Sequence, residues 1–216
     1  YELDTSSGAF LAARHAESLN DLNRAADFIV EALKFDPGNQ ELRRRAILLL
    51  ASAGRIGEAV PIAADTDKSD IVASFVLIAE AARTGDFKPG IARAEALPKD
   101  GIGGLMGPLL LAWLRFEDSG PDAALGALKT LGESRPARPI ERLHAGFIYD
   151  LAGRADEARE SYLAAIGAGQ HPPFRFVEAL ASFYQRNGNL QAARDTVKPL
   201  IAENPESSLI QTLLAR

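Results

Sequence analysis

Imidazole is the side chain that both ligates metals and moves protons near neutral pH, so the three histidines are weighed first. His15, His144 and His171 are widely separated. None has a second His, Asp or Glu at the H-x-x-x-H or H-E-x-x-H spacing that puts two ligands on one helix face. His15 and His144 fall on amphipathic stretches and read as surface or groove residues. His171 precedes Pro172-Pro173 in a loop. Asp65, Asp67 and Asp70 look superficially like a calcium loop, but its turn glycine and terminal glutamate are missing. They read as a solvated loop followed by a helix cap. Cysteine is absent, which removes disulfides, thiolate metal sites and a cysteine nucleophile.

The glycines offer no phosphate cradle. Gly101-Ile102-Gly103-Gly104 is not followed by Gly-Lys-Ser/Thr, and no strand precedes it. Gly8, Gly57 and Gly126 form no nucleotide fingerprint, and no serine sits in a G-x-S-x-G elbow. Arg43-Arg44-Arg45 is the one basic run, and three successive helical residues point in three directions. With 24 Lys+Arg against 29 Asp+Glu, the net charge of -5 argues against a nucleic-acid or polybasic membrane role. The expectation is a chain with no catalytic residue, no cofactor, no metal and no nucleic-acid partner.

The elements that carry these residues are all helical. Apolar residues recur at three and four rather than alternating. Leucine and alanine dominate, and 47% hydrophobic residues supply a continuous core. The longest apolar runs, Ile71 to Ala79 and Leu109 to Leu114, are too short to span a bilayer. Thr5-Ser6-Ser7 caps a first helix running to about Leu19. Further helices are expected over 22–35, 40–53, 56–64, 70–83 and 87–97, with Ser69 or Asp70 capping the fifth. Pro61 is placed near the edge of a first turn, where a missing N–H costs least. Lys99 to Gly107 reads as a long irregular loop, and helices resume over 108–119, 121–131, 139–152, 154–166, 173–187 and 190–202. Pro199 should kink or fray the last of these. The chain starts at Tyr1 rather than Met and stops within an apolar helical pattern at Leu213-Leu214-Ala215-Arg216. Both ends therefore read as truncated, and the compartment stays open between cytoplasm and periplasm.

The turns between paired helices fall at Asn20, Gly54, Gly85, Gly120, Gly153 and Gly188, separated by 34, 31, 35, 33 and 35 residues. Self-similarity at this period marks a solenoid of helical hairpins. A helix of ~14 residues is ~21 Å long and marginal alone in water. Stacking buries the second apolar face of each hairpin, so neighbouring units stabilise one another. The clearest copy is Pro139 to Ile166, where small residues alternate with aromatic rings.

These residues resemble the tetratricopeptide repeat family. In the fifth unit Gly146, Tyr149, Gly153, Ala158, Tyr162, Ala165 and Ile166 stand at the family's signature places. The sixth unit matches with Leu180, Ala181, Tyr184, Gly188, Ala193 and Pro205, the first with Ala13, Ala25, Ala32, Asp36-Pro37 and Asn39, and the second with Gly54, Glu58 and Ala59. The third and fourth diverge: Gly90 replaces the usual second-helix alanine, and Trp113 stands where a small first-helix residue is usual. The resemblance implies an all-α, right-handed α-solenoid of about six repeats forming one domain over 1–216. The units are approximately 6–39, 40–69, 70–98, 104–133, 139–168 and 173–205, with a truncated seventh helix at 208–216.

In this family first helices line the concave face. Carried over, that face is polar at both ends, with Arg14, Glu17, Arg44, Glu178 and Arg186 among its residues. Its middle is apolar, and Phe75, Leu110, Leu114, Ile140, Leu143, Phe147 and Leu151 are the candidate partner-binding residues. A contiguous apolar stripe on a surface marks an interaction site, and an amphipathic helix laid in the groove would bury it. Three readings stand: a groove, an extra core of a tightly wound array, or a contact with a segment outside this chain. The family's Lys/Asn carboxylate clamp is not matched, since Phe10, Arg14, Arg44 and Leu48 occupy those places. The resulting expectation is a non-catalytic scaffold for a protein or peptide partner, of bacterial type by composition. The alternatives are a substrate-presenting repeat region of a larger enzyme or assembly protein, and an oligomerisation module. The oligomeric state is left open.

Overall fold

A computed structural model describes residues 5–67, 70–167, 172–203, 206–208, 210 and 212. Twelve α-helices and no strand occur among the described residues. They are α1 (Ser6–Ser18), α2 (Leu22–Phe35), α3 (Gln40–Ser52), α4 (Ile56–Ala64), α5 (Ile71–Thr84), α6 (Phe87–Glu95), α7 (Gly101–Ser119), α8 (Pro121–Glu133), α9 (Arg138–Leu151), α10 (Ala155–Ile166), α11 (Phe174–Arg186) and α12 (Leu190–Glu203). The architecture is the all-α hairpin solenoid that the periodicity predicts. The chain divides into two compact units, residues 1–114 and 115–216.

The six turn residues named from spacing all have positive φ: 57° at Asn20 and 76°, 76°, 88°, 73° and 74° at Gly54, Gly85, Gly120, Gly153 and Gly188. The left-handed residue lets the chain reverse while satisfying the last carbonyls of the first helix. At four of the six turns the residue after it donates its N–H five positions back: Asp21 to Ala16, Arg55 to Leu50, Arg154 to Tyr149 and Asn189 to Tyr184, at 2.8–2.9 Å. Side-chain caps start the following helices. Asp21 accepts from Arg24 N at 3.1 Å, Asn39 from Glu41 N and Leu42 N, Asp70 from Ala73 N at 3.0 Å, and Asn189 from Ala192 N. Asp70 is thus the cap of α5; Ser69 lies outside the described residues.

In unit 1, Ala13, Ala25, Ala26, Ile29, Ala46, Ile47, Leu50, Ala59 and Ala63 are fully buried in one cluster running from α1 to α5. A second cluster joins Ile78, Ala94, Leu97 and Leu114. Gly90, the departure from the family's alanine, is buried where a Cβ would stand 2.7 Å from Ala81 Cβ and 3.3 Å from Leu114 Cδ1. The close approach of α5 and α6 explains the substitution. In unit 2, Ala158, Tyr162, Ala165, Leu180 and Phe183 form the core, followed by Val177, Ala181, Val197, Leu200 and Ile210.

Three local expectations are corrected. The glycine-rich stretch expected as a loop over Lys99 to Gly107 is the start of α7, which begins at Gly101 and carries Pro108 inside it. Its glycines fit a tight approach to the segment before it. A Cβ on Gly103 would meet the Pro98 carbonyl oxygen at 2.5 Å, and one on Gly104 would meet that of Lys99 at 2.3 Å. Pro61 lies deeper in α4 than the first turn, at its sixth residue. The carbonyl it leaves unbonded is that of Gly57, which is exposed to solvent. Finally, the small residue sought at Trp113 is its neighbour Ala112, which is fully buried. His171, Pro205 and most of the expected seventh helix fall outside the described residues, although Ser208, Ile210 and Thr212 are helical.

Candidate functional site

The candidate residues of unit 2 form a stripe on α9. Ile140, Leu143, Phe147 and Leu151 recur at three and four, the spacing that puts side chains on one helical face. Their exposure rises along the helix from Leu143 onward. Leu143 is 8% exposed, Phe147 is half-buried and Leu151 is 66% exposed. Phe147 packs edge-on against Tyr162 with ring centroids 5.6 Å apart, and edge-on against His144 at 5.9 Å. Tyr162 in turn meets Phe183 at 5.5 Å. A chain of rings therefore links the stripe to the core of the hairpin.

Between α9 and α11 the stripe opens into a cavity of about 440 Å³, lined by Leu143, Phe147, Ala179, Arg175, Glu178, Ser182 and Arg186. Its apolar side is supplied by Leu143, Phe147 and Ala179. Its polar residues all come from α11, spaced so that they share one face of that helix. These charges already have partners: Arg175 donates to Glu178 at 2.9 Å, and Arg186 pairs with Asp150. Asp150 also accepts from the Tyr162 hydroxyl at 3.3 Å. Burial, with the Asp150 charge adding to it, pushes the Tyr162 phenol well above its ordinary range, so it stays a neutral donor. Burial lowers the His144 imidazole below its ordinary value.

The candidates of unit 1 are placed differently. Leu114 is 3% exposed and belongs to the core with Ile78, Ala94 and Leu97. Phe75 and Leu110 are half-buried against that cluster. The polar first-helix residues tie hairpins together. Arg45 of α3 pairs with Glu17 of α1 and lies over the Phe10 ring, 5.9 Å from its centroid. Arg44 donates to Asp70, the cap of α5, at 2.8 Å, while Arg43 turns to Asp65 and the Pro37 carbonyl. The three arginines do point three ways. Burial pushes the Asp70 carboxyl upward, but the Ala73 N–H and Arg44 outweigh it and hold it below its ordinary range.

Sequence reasoning missed two parts of this picture. Ala179 completes the cavity wall and has no chemical signature of its own. The arginines that follow two turn glycines link successive second helices: Arg55 reaches Glu58 and Asp27 at 2.7 and 2.6 Å, and Arg154 reaches Glu157 and Asp122 at 2.9 and 3.0 Å. The recurring Gly-Arg pair was the available signal. Among the described residues no group of three or more His, Cys, Asp or Glu is placed to hold a metal ion, and no helix is long and apolar enough to cross a membrane.

No protein-family model matches the sequence, and no curated protein matches it. Solved structures do. One is described as a tetratricopeptide repeat protein from Parabacteroides merdae ATCC 43184; it superposes with a TM-score of 0.71 at 13% identity over 96% of this chain and 83% of that one. PilW, described as a widely conserved type IV pilus biogenesis factor, gives 0.64 at 18% identity over 97% of this chain and 98% of its own. PilF of Pseudomonas aeruginosa gives 0.57 at 12% identity over 97% and 96%. At these identities the likeness is one of fold.

Proposed function

We propose that this chain, which folds as an array of tetratricopeptide-type helical hairpins, is a non-catalytic scaffold that holds an amphipathic helical segment of a partner protein. The segment would lie along the α9 stripe, with an apolar side chain seated in the cavity between α9 and α11. The observation that carries this reading is the cavity itself. It opens at Leu143 and Phe147 of an apolar stripe, and its volume is in the range of ligand clefts, ~300–1,000 Å³. Its charged residues are paired within the chain, so the gain on binding comes from apolar burial, roughly 1.5–3 kcal/mol for each large side chain removed from water. The rim arginines and Glu178 then fix register rather than supply affinity.

The test is a selection of displayed helical peptides on the intact chain, followed by affinity measurement on wild type and Ser182→Trp. Ser182 is a half-buried lining residue, and an indole there fills the cavity from its rim. Selected peptides should lose at least about tenfold in affinity, equivalent to ~1.4 kcal/mol, with the melting temperature held. Peptides that bind the variant as tightly as wild type would sink the proposal.

A further inference from the structure

The two walls of the α9–α11 cavity differ in chemistry. The α9 wall is apolar, through Leu143 and Phe147. The α11 wall is small in its middle, at Ala179 and Ser182, with Arg175 before and Arg186 after. Eleven positions separate the two arginines, about three helical turns or roughly 16 Å. Both walls are backed by elements of this chain: α9 packs on α8 and α10, and α11 on α10 and α12. The cavity is therefore made by two successive hairpins and does not depend on where the sequence begins or ends.

At both ends of that wall the cation, rather than its carboxylate, faces outward. The Arg175 side chain is 80% exposed and that of its partner Glu178 is 25% exposed. The Arg186 side chain is 57% exposed and that of its partner Asp150 is 19% exposed. Arg175 reaches Glu178 through Nη1, and Arg186 reaches Asp150 through Nη2, each using one of the five donors that a guanidinium carries. Sharing Arg186 with a ligand would not strip Asp150, which also accepts from the Tyr162 hydroxyl. A carboxylate arriving from solvent thus meets a cation on either side of Ala179 and Ser182. The net charge of -5 acts over longer distances, and salt screens it beyond ~8 Å, so the nearby guanidinium groups set the local preference.

We infer that the α9–α11 groove selects a partner helix whose apolar stripe is edged by two acidic residues about three turns apart, one at Arg175 and one at Arg186. This rests on the scaffold reading above and adds the chemistry of the partner. The stripe sits on Leu143 and Phe147, and the acidic edge lies over α11. Exposed ion pairs add little affinity, but a like charge at either rim is disfavoured, so the arginines act mainly by rejecting basic helices. A segment of the same polypeptide would be held by its linker at an effective concentration of roughly mM and would need little selection by charge. A free partner must be told from its competitors, and the charged rim serves that task.

The experiment titrates three labelled, stapled helical peptides into the protein expressed from its complete gene and into the 216-residue chain, read by fluorescence anisotropy. The peptides share one leucine stripe and differ only at two edge positions three turns apart, which are both Glu, both Gln or both Lys. The Glu peptide should bind about tenfold or more tighter than the Lys peptide, with the Gln peptide between them. Arg175→Gln should shrink that contrast, and Arg175→Gln with Arg186→Gln should abolish it, while the Gln peptide keeps its affinity and so reports an intact groove. Arg175→Gln alters a mostly exposed side chain, which keeps the test sound if the double variant disturbs folding. Glu and Lys peptides that bind equally, yet are both weakened by Ser182→Trp, overturn this inference and leave the scaffold reading standing. No saturable binding by any peptide, or binding indifferent to Ser182→Trp, overturns both. Binding to the 216-residue chain but not to the complete protein makes a segment of the same polypeptide the occupant, and a dimer in sedimentation that the Glu peptide dissociates makes it a second copy; either result overturns the inference.

Discussion

Gly146 on α9 lies against the ring of Tyr162 on α10: a Cβ at residue 146 would stand 2.6 Å from Tyr162 Cδ1 and 2.7 Å from Cε1. The ring is fully buried, wedged between Phe147 and Phe183, with its hydroxyl bonded to Asp150, so it has no direction in which to yield. Alanine would add helix propensity worth about 0.8–1 kcal/mol. The overlap should outweigh that gain, since overpacking a fixed core costs about 1–3 kcal/mol. Gly146→Ala is expected to lower the melting temperature, and Gly146→Ala combined with Tyr162→Leu to show marked non-additivity in denaturant titration.

The sign should reverse where a helical glycine faces open space. A Cβ on Gly126, inside α8, would meet nothing within 4 Å, whereas one on Gly90 would press on Ala81. Gly126→Ala should stabilise by roughly 0.5–1 kcal/mol, and Gly90→Ala should destabilise. Urea midpoints of the two variants, compared at a common slope, check both signs.

Much of this is legible in the sequence. The turn residues are identifiable because a left-handed residue, nearly always glycine, must recur once per hairpin. The small-to-large pairs follow, since Gly146 and Tyr162 are each other's reason. How far each stripe residue sinks is not legible. Leu143 and Leu151 are chemically alike and share a helix face, yet one is 8% and the other 66% exposed. The difference depends on where the neighbouring helix crosses, which residue type does not encode. The helical glycines of α7 mislead for a related reason. Glycine reads as a breaker locally, whereas Gly103 and Gly104 are small to clear the Pro98 and Lys99 carbonyls.

Asp70 joins two hairpins, capping α5 through Ala73 N while accepting from Arg44 of α3. Its carboxyl is held below its ordinary range in the folded chain, so it stabilises the fold above the unfolded carboxylate value of ~3.9 and loses that contribution as pH falls through the folded value. Asp70→Ala should cost about 1–2 kcal/mol at neutral pH, mainly as a lost helix cap. The gap in melting temperature between wild type and variant should close as the pH is lowered below about 4.

Arg154 is expected to matter modestly and to be salt-sensitive. Its links to Glu157 and Asp122 are solvent-exposed, which limits each to ~0.2–1 kcal/mol, and its guanidinium also lies 4.6 Å from the Tyr149 ring centroid. Arg154→Lys keeps the charge but not the planar fork that serves both carboxylates and the ring. Both Arg154→Ala and Arg154→Lys should lower the melting temperature by a few degrees, with the difference from wild type reduced at about 1 M salt, where the Debye length is ~3 Å.

The α9 stripe separates packing from recognition residue by residue. Leu143 is buried between α9 and α11, so Leu143→Ser should act as a core truncation with a buried hydroxyl and cost about 2–5 kcal/mol. Phe147 is half-buried but braces Tyr162, and Phe147→Ser should cost less than Leu143→Ser while still lowering the melting temperature. Leu151 is exposed, and Leu151→Ser should fall within about 0.5 kcal/mol of wild type. Binding should rank differently. A helix lying along the stripe covers Phe147 and Leu151 together, so Leu151→Ser should weaken a selected peptide without weakening the fold. Calorimetric melting paired with peptide titration measures both orders on the same three proteins. If affinity follows stability across the series, with Leu151→Ser silent in both, the stripe is packing and the partner sits elsewhere.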